Sequence, residues 1–219
     1  MMSGGNKNHI RLYSVLRGGI AIHNPLSDPN VPGGAYGTLG IVGTRDGTDR
    51  WLVSCYHVLC RKQADMPPAV TEPVFHPFSQ LHPSPVAFAS AENANRDLDC
   101  AAARLISVDA IGDILGIGRL RAPIPPTIGM RVIKSGAETG VTEGRIIGIA
   151  DEDIEIGPLA LPADYELSEG GDSGSVWVDA ETMGPVGLHY RGSDRGMPER
   201  AYAKPFNSVL EALKLKLLF

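Results

Sequence analysis

The sequence predicts an all-β fold in two lobes, on three observations. Its strongest periodic signals are short: GIAIHN (19–24), TLGIVGT (38–44), RWLVSCY (50–56), PVAFASA (85–91), CAAARLI (100–106), MRVIKSG (130–136), GRIIGIA (144–150), DSGSVWV (172–178) and GPVGLHY (184–190). Apolar runs of this length, bounded by Gly, Pro, Asp and Asn, read as the strands of a sandwich or barrel. Second, 26 Gly and 17 Pro are spread over 219 residues without a repeat, which supplies turns between many short strands. Third, RAPIPPTIG (121–129) places three prolines near the middle of the chain. Proline cannot donate to a strand ladder, so this stretch is read as the crossing between a first lobe, 1–120, and a second, 121–219.

Each remaining element follows from a local pattern. PFNSVLEALKLKLLF, at the carboxyl end, puts Phe206, Leu210, Leu213 and Leu217 on one helical face, with Pro205 suited to a helix start. A short terminal helix packed on its own domain is expected. No run approaches the roughly 18 apolar residues of a membrane span. The net charge of −5 leaves no basic stripe to neutralise phosphates, so neither nucleic acid nor an anionic membrane is expected as a partner. A protein or peptide substrate fits better. The opening MMSGGNKNHIRLYSVLRGG lacks the apolar core of a secretory signal, and the odd set Cys55, Cys60 and Cys100 points to free thiols. A cytoplasmic protein is expected.

The sharpest chemical signal is GGDSGS (170–175). Glycines on both sides of Ser173 allow a tight turn that presents its hydroxyl, and such a turn can aim the N–H groups of Gly171 and Ser173 at one point. A plain turn between strands is the simpler reading. A serine hydroxyl is a weak nucleophile at neutral pH and needs a base, for which histidine is suited. His57, between the apolar WLVSCY and VLC, is expected where a buried strand ends in a short helical turn. His76 and His82 lie in Pro-rich segments that read as surface loops. The third member should be a carboxylate that orients the imidazole. Asp99, directly before CAAARLI, meets that need; Asp97, two residues away on the same face of a strand, competes, although a turn role suits it beside Arg96.

The blocks SCYHVLC, DLDCAAA and GGDSGS, in that order, resemble the chymotrypsin-like serine proteases, whose triad runs His, Asp, Ser along the chain. GAYGTLGIV is similar to the strand before the histidine in that family, GPVGLHYRG to the substrate-binding strand after the serine, and VIKSGAETGVTEGRI to a segment of bacterial trypsin-like peptidases. The resemblance implies two six-stranded antiparallel β-barrels with His57 and Asp99 on the first and Ser173 on the second. It implies peptide-bond hydrolysis, an oxyanion hole at Gly171 and Ser173, and no cofactor or metal. It aligns Leu167 with the pocket-base position that carries aspartate in trypsin, so cleavage after basic residues is not expected. His189 falls where glutamate-specific bacterial proteases carry a histidine, Ser168 matches their assisting hydroxyl, and Gly192 lies on the same substrate-binding strand. Glu or Gln before the cut bond is the expectation, against His189 as a satisfied core residue. Glu166 and Glu169 could instead turn into the pocket and favour a basic side chain.

Two departures stand out: no Ile-Val-Gly-Gly start precedes the first strand, which puts pairing of a new amino terminus with Asp172 in doubt, and Cys55 and Cys60 bracket His57 at a spacing poor for a bridge. Three other functions remain open. A zinc site could draw on Cys55, His57, Cys60 and Cys100, though C-x-H-x2-C fits no common finger. The fold could serve as an inactive interaction module, or the same triad could cleave esters. Control by narrow specificity or by a regulatory partner protein is expected of a cytoplasmic protease.

Overall fold

A computed structural model describes residues 9–28, 30, 36–61, 71–106, 108–159, 166–194 and 197–218; the first eight residues of the amino-terminal stretch lie outside it. In chain order the first half gives β1 (Val15–Gly18), β2 (Ala21–His23), β3 (Tyr36–Thr38), β4 (Ile41–Thr44), β5 (Trp51–Cys55), α1 (Tyr56–Leu59), β6 (Thr71–Val74), β7 (Ala87–Asn95), β8 (Cys100–Leu105), β9 (Asp109–Ile114) and β10 (Gly118–Arg119). The second gives β11 (Arg131–Gly136), β12 (Gly140–Ala150), β13 (Asp153–Pro158), β14 (Val176–Asp179), β15 (Pro185–Gly192), β16 (Ala201–Pro205), α2 (Phe206–Leu213) and β17 (Lys216–Leu217).

Strands β11 to β16 close into a barrel in the order β11-β12-β13-β16-β15-β14. Alternation explains the closure. Along β12 the buried residues Gly140, Thr142, Gly144 and Ile146 face inward while Val141, Arg145 and Ile147 face out. β12 pairs with β13 so that Ile146 meets Ile156, and these pack with Val132, Ile154, Leu167, Trp177 and Val186. β13, whose DIEI alternates strictly, is absent from the strands expected above because its polar residues hide a short signal.

The first half does not form the second closed barrel expected. Its sheet runs β17-β4-β5-β8-β7-β6, while β2 and β3 pair separately. The reason lies at one edge: the chain after β6 meets β2 through a single bridge between His23 and Phe75 instead of a ladder. At the other edge, β4 is paired by β17 from the carboxyl end. That pairing also corrects the helix. α2 ends at Lys214, whose φ of 54° is left-handed, so Leu217 lies on a strand opposite Gly43 and not on the helical face. Phe206, Val209, Leu210 and Leu213 are buried in the core of the first half. Among the described residues no helix is long and apolar enough to cross a membrane.

Candidate active site

β5 delivers His57. The strand is buried along its whole length, and α1 begins one residue after it, so His57 leaves the core on the first helical turn. Asp99 sits on the adjacent strand's threshold: Cys55 is opposite Cys100 in the β5–β8 register, and the Tyr56 N–H donates to the Asp99 carbonyl at 3.0 Å. Asp99 has φ 43°, a left-handed conformation that Asp tolerates better than most residues. Its carboxylate holds His57 twice. Oδ1 accepts the backbone N–H of His57 at 3.1 Å, and Oδ2 lies 2.6 Å from Nδ1. An acceptor at Nδ1 places the neutral imidazole's proton there and leaves Nε2 as the free acceptor. Asp97, the competing carboxylate, lies exposed in the turn before β8, as the turn role beside Arg96 anticipated.

Ser173 arrives from the other half of the molecule. Thr38 of β3 grips its loop: the Thr38 N–H donates to the Ser173 carbonyl at 2.8 Å and the Thr38 hydroxyl to the Gly171 carbonyl at 2.9 Å. Gly174, with φ +95°, lies so close to Ser54 and Thr38 that a Cβ there would sit 2.0 Å from Ser54 Oγ. Gly171, with φ +116°, lies under the Tyr36 ring, where a Cβ would approach to 2.7 Å. The Ser173 hydroxyl donates to the Tyr190 carbonyl at 3.3 Å. The N–H groups of Asp172, Gly174 and Ser175 all have backbone acceptors. Those of Gly171 and Ser173 have none among the described residues.

Asp172 is the anchor of this loop. Its buried carboxylate accepts Lys134 Nζ at 2.9 Å, the Thr139 hydroxyl at 2.6 Å, and the N–H groups of Glu138, Thr139 and Glu169 at 2.9, 3.1 and 3.2 Å. Burial pushes the carboxyl up, but the Lys134 charge and these hydrogen bonds outweigh it and hold it below its ordinary range. Lys134, fully buried, is thus the charged partner of Asp172. Sequence reasoning gave Lys134 no role. Its signal was period two, because Val132 and Lys134 fall on the same face of a buried strand.

The expected pocket residues divide. Leu167 is buried, its N–H donating to Glu199 Oε1 at 2.9 Å. Ser168 Oγ is buried without a partner among the described residues, and a Cβ on Gly192 would lie 2.7 Å from it. His189 is 1% exposed, and its Nδ1 accepts the Trp177 indole N–H at 3.4 Å. Burial, aided by Lys134, drives its pKa down to about 3, against a hydrogen bond to the Tyr202 backbone. The imidazole is neutral, with Nδ1 engaged by Trp177. Glu166 is held up to about 7 by its hydrogen bond with Glu169, with burial and the charges of Glu169 and Glu199 adding to the effect.

Cys55, Cys60 and Cys100 are buried free thiols. Burial raises all three; Cys60 and Cys100 are pushed up to about 12. Among the described residues, Cys55 groups with His57 and Asp99, and not with Cys60 or Cys100 as the zinc alternative would have it. His76, expected on a surface loop, is buried, with Nδ1 donating to the Ala21 carbonyl at 2.7 Å and Nε2 accepting the Tyr13 N–H.

A closed six-stranded barrel joined to a second, sheet-based half is a chymotrypsin-like fold, as the match to solved structures shows. No protein-family model matches the chain, and no curated protein does. Solved structures do. A serine protease described as glutamic-acid-specific, with a histidine triad in substrate binding, superposes with a TM-score of 0.68 over 93% of this chain and 100% of its own, at 18% identity. Thermobifida fusca protease A gives 0.65 over 93% and 98%, at 18% identity, and Cellulomonas bogoriensis chymotrypsin 0.63 over 92% and 97%, at 16%. At such identities the likeness defines the fold.

Proposed function

We propose that this protein is a serine endopeptidase, with Ser173 as nucleophile, His57 as general base and Asp99 as its orienting carboxylate. The observation that carries the reading is the double hold of Asp99 on His57, which fixes the proton on Nδ1 and turns Nε2 into an acceptor. Ser173 Oγ attacks the scissile carbonyl while His57 Nε2 takes its proton; the imidazolium is stabilised by Asp99 and then protonates the leaving amine. The developing oxyanion is received by the Gly171 and Ser173 N–H groups, whose hydrogen-bonding capacity is unspent within the described residues. Water then releases the acyl group by the same steps in reverse roles. Because Lys134 is part of the chain, the Asp172 loop is held without proteolytic processing.

For the residue before the cut bond, Gln accords with the pocket better than Glu. Ser168 Oγ has an unfilled hydrogen bond to offer beside Gly192, whereas His189 is neutral and already engaged. Glu199 bonds the Leu167 N–H and Glu166 and Glu169 lie nearby, so an anionic side chain meets like charge. The buried free thiols accord with a reducing, cytoplasmic setting. The deciding experiment is labelling by a fluorophosphonate probe together with hydrolysis of a casein-type protein substrate. Both should occur in the wild type and vanish in Ser173→Ala with the fold intact; labelling retained in that variant would move the nucleophile elsewhere. Protein hydrolysis absent from a labelled wild type would favour an esterase.

A further inference from the structure

One buried nucleophile has no part in the reaction above. Cys55 Sγ lies at the end of β5 behind the His57–Asp99 pair, and the ligand atoms of Cys55, His57 and Asp99 all fall within 4.8 Å of one another. The thiol donates a weak S–H hydrogen bond to the His189 carbonyl at 3.1 Å. From the front the pair is open, with 33% of the His57 side chain and 22% of the Asp99 side chain exposed. The pair is thus partly open to solvent and to cations in it.

We propose that Cys55, His57 and Asp99 form an inhibitory site for a thiophilic divalent metal ion of the zinc and cadmium class. The donor set suits such an ion: one thiolate, one imidazole and one carboxylate, with a fourth position left for solvent. Tetrahedral bonds of about 2.3 Å to sulfur and about 2.0 Å to nitrogen set those two atoms about 3.5 Å apart, within the span present. The same geometry asks about 3.3 Å between the nitrogen and the carboxylate oxygen. Nδ1 and Oδ2 now stand 2.6 Å apart, so binding parts them and ends their hydrogen bond. Charge and protons balance as follows. The metal takes Nδ1, the Nδ1 proton moves to Nε2, and the Cys55 thiol proton is released to solvent, one per ion bound. With its proton on Nε2, His57 can no longer accept one from Ser173. The site inhibits by reversing the tautomer, and it is distinct from a resident cofactor, which the reaction does not need.

The inhibitory consequence rests on the proposed protease reading, whereas occupancy of the site does not. Cadmium chloride is titrated into metal-free full-length protein while the ultraviolet thiolate-to-cadmium charge-transfer band and fluorophosphonate labelling are followed together. One ion per chain is expected at micromolar concentration, with labelling slowed at least tenfold and restored by a chelator. Cys55→Ala should abolish the band, His57→Ala should weaken binding at least tenfold, and Cys60→Ala should bind as the wild type does. Should Cys55→Ala fold poorly by circular dichroism, His57→Ala and Asp99→Asn, at partly exposed positions, carry the test alone. A band that survives Cys55→Ala, or binding unaffected by both His57→Ala and Asp99→Asn, overturns the site, as does the absence of stoichiometric binding. A band that depends on these residues in a protein that never labels would keep the metal site and reject the protease reading.

Discussion

Replacing Lys134 by Met tests the internal anchor of the serine loop. Met keeps most of the aliphatic volume against Trp177, over whose ring the ammonium lies at 5.5 Å, but removes the charge 2.9 Å from Asp172. Both side chains are fully buried, so the carboxylate loses its counter-charge in a place water does not reach. Breaking such a pair costs about 3–5 kcal/mol. Here the Thr139 hydroxyl and three backbone N–H groups still hold the carboxylate, which favours the lower end. A loss near 3 kcal/mol lowers Tm by roughly 6–12 °C in a chain of this size. The pH dependence has a definite sign. In the wild type Asp172 is held below its ordinary range, so its contribution is present at neutral pH and is lost as pH falls through the lowered value. Without Lys134, burial is opposed only by the Thr139 and backbone hydrogen bonds, so the carboxyl should move upward and its contribution should be smaller at neutral pH than in acid. The stability gap between the two proteins should therefore narrow on going from pH 7 toward about pH 4, the range of a free carboxyl. Chemical denaturation at both pH values measures it, with turnover followed in parallel, since Gly171 and Ser173 flank Asp172. A deficit below about 1 kcal/mol, or one that is equal at both pH values, would refute the claim that this pair is a buried, ionised anchor.

Asp99→Asn should reduce turnover on the order of 10⁴ while Asp97→Asn changes it less than severalfold, because only Asp99 touches His57; steady-state kinetics on one peptide decide between the two carboxylates. Gly174→Ala should leave little folded, active protein, since its φ of +95° and a Cβ 2.0 Å from Ser54 Oγ admit no side chain; melting temperature and soluble yield are the readouts. In a peptide library, cleavage after Gln should exceed cleavage after Glu, and Ser168→Ala should weaken the Gln preference by about 5- to 160-fold, as befits a lost buried hydrogen bond of about 1–3 kcal/mol. A dominant preference for Arg or Lys would transfer the specificity to Glu166, Glu169 and Glu199. His189→Ala should lower stability more than it alters that preference, because it orphans the Trp177 indole N–H.

What the sequence by itself determined is whatever local chemistry dictates. Short strands punctuated by Gly and Pro, a histidine at the end of an apolar strand, an aspartate at the threshold of CAAARLI and a glycine-flanked serine are each consequences of neighbours within a few residues. Even the buried face of Lys134 was written in the alternation of VIKS. Tertiary structure decided everything that depends on partners far apart in the chain. It brought Lys134 to Asp172, placed Asp97 in an exposed turn, and engaged Nδ1 of His189 with Trp177 inside the second barrel. It also took Leu217 from a helical face to a strand beside β4, and left the first half joined by a single His23–Phe75 bridge where a closed barrel was expected. The physical reason is common to all of these. Local propensity selects the kind of element, but whether a polar atom is satisfied, charged or available is set by which distant groups surround it once water has been excluded.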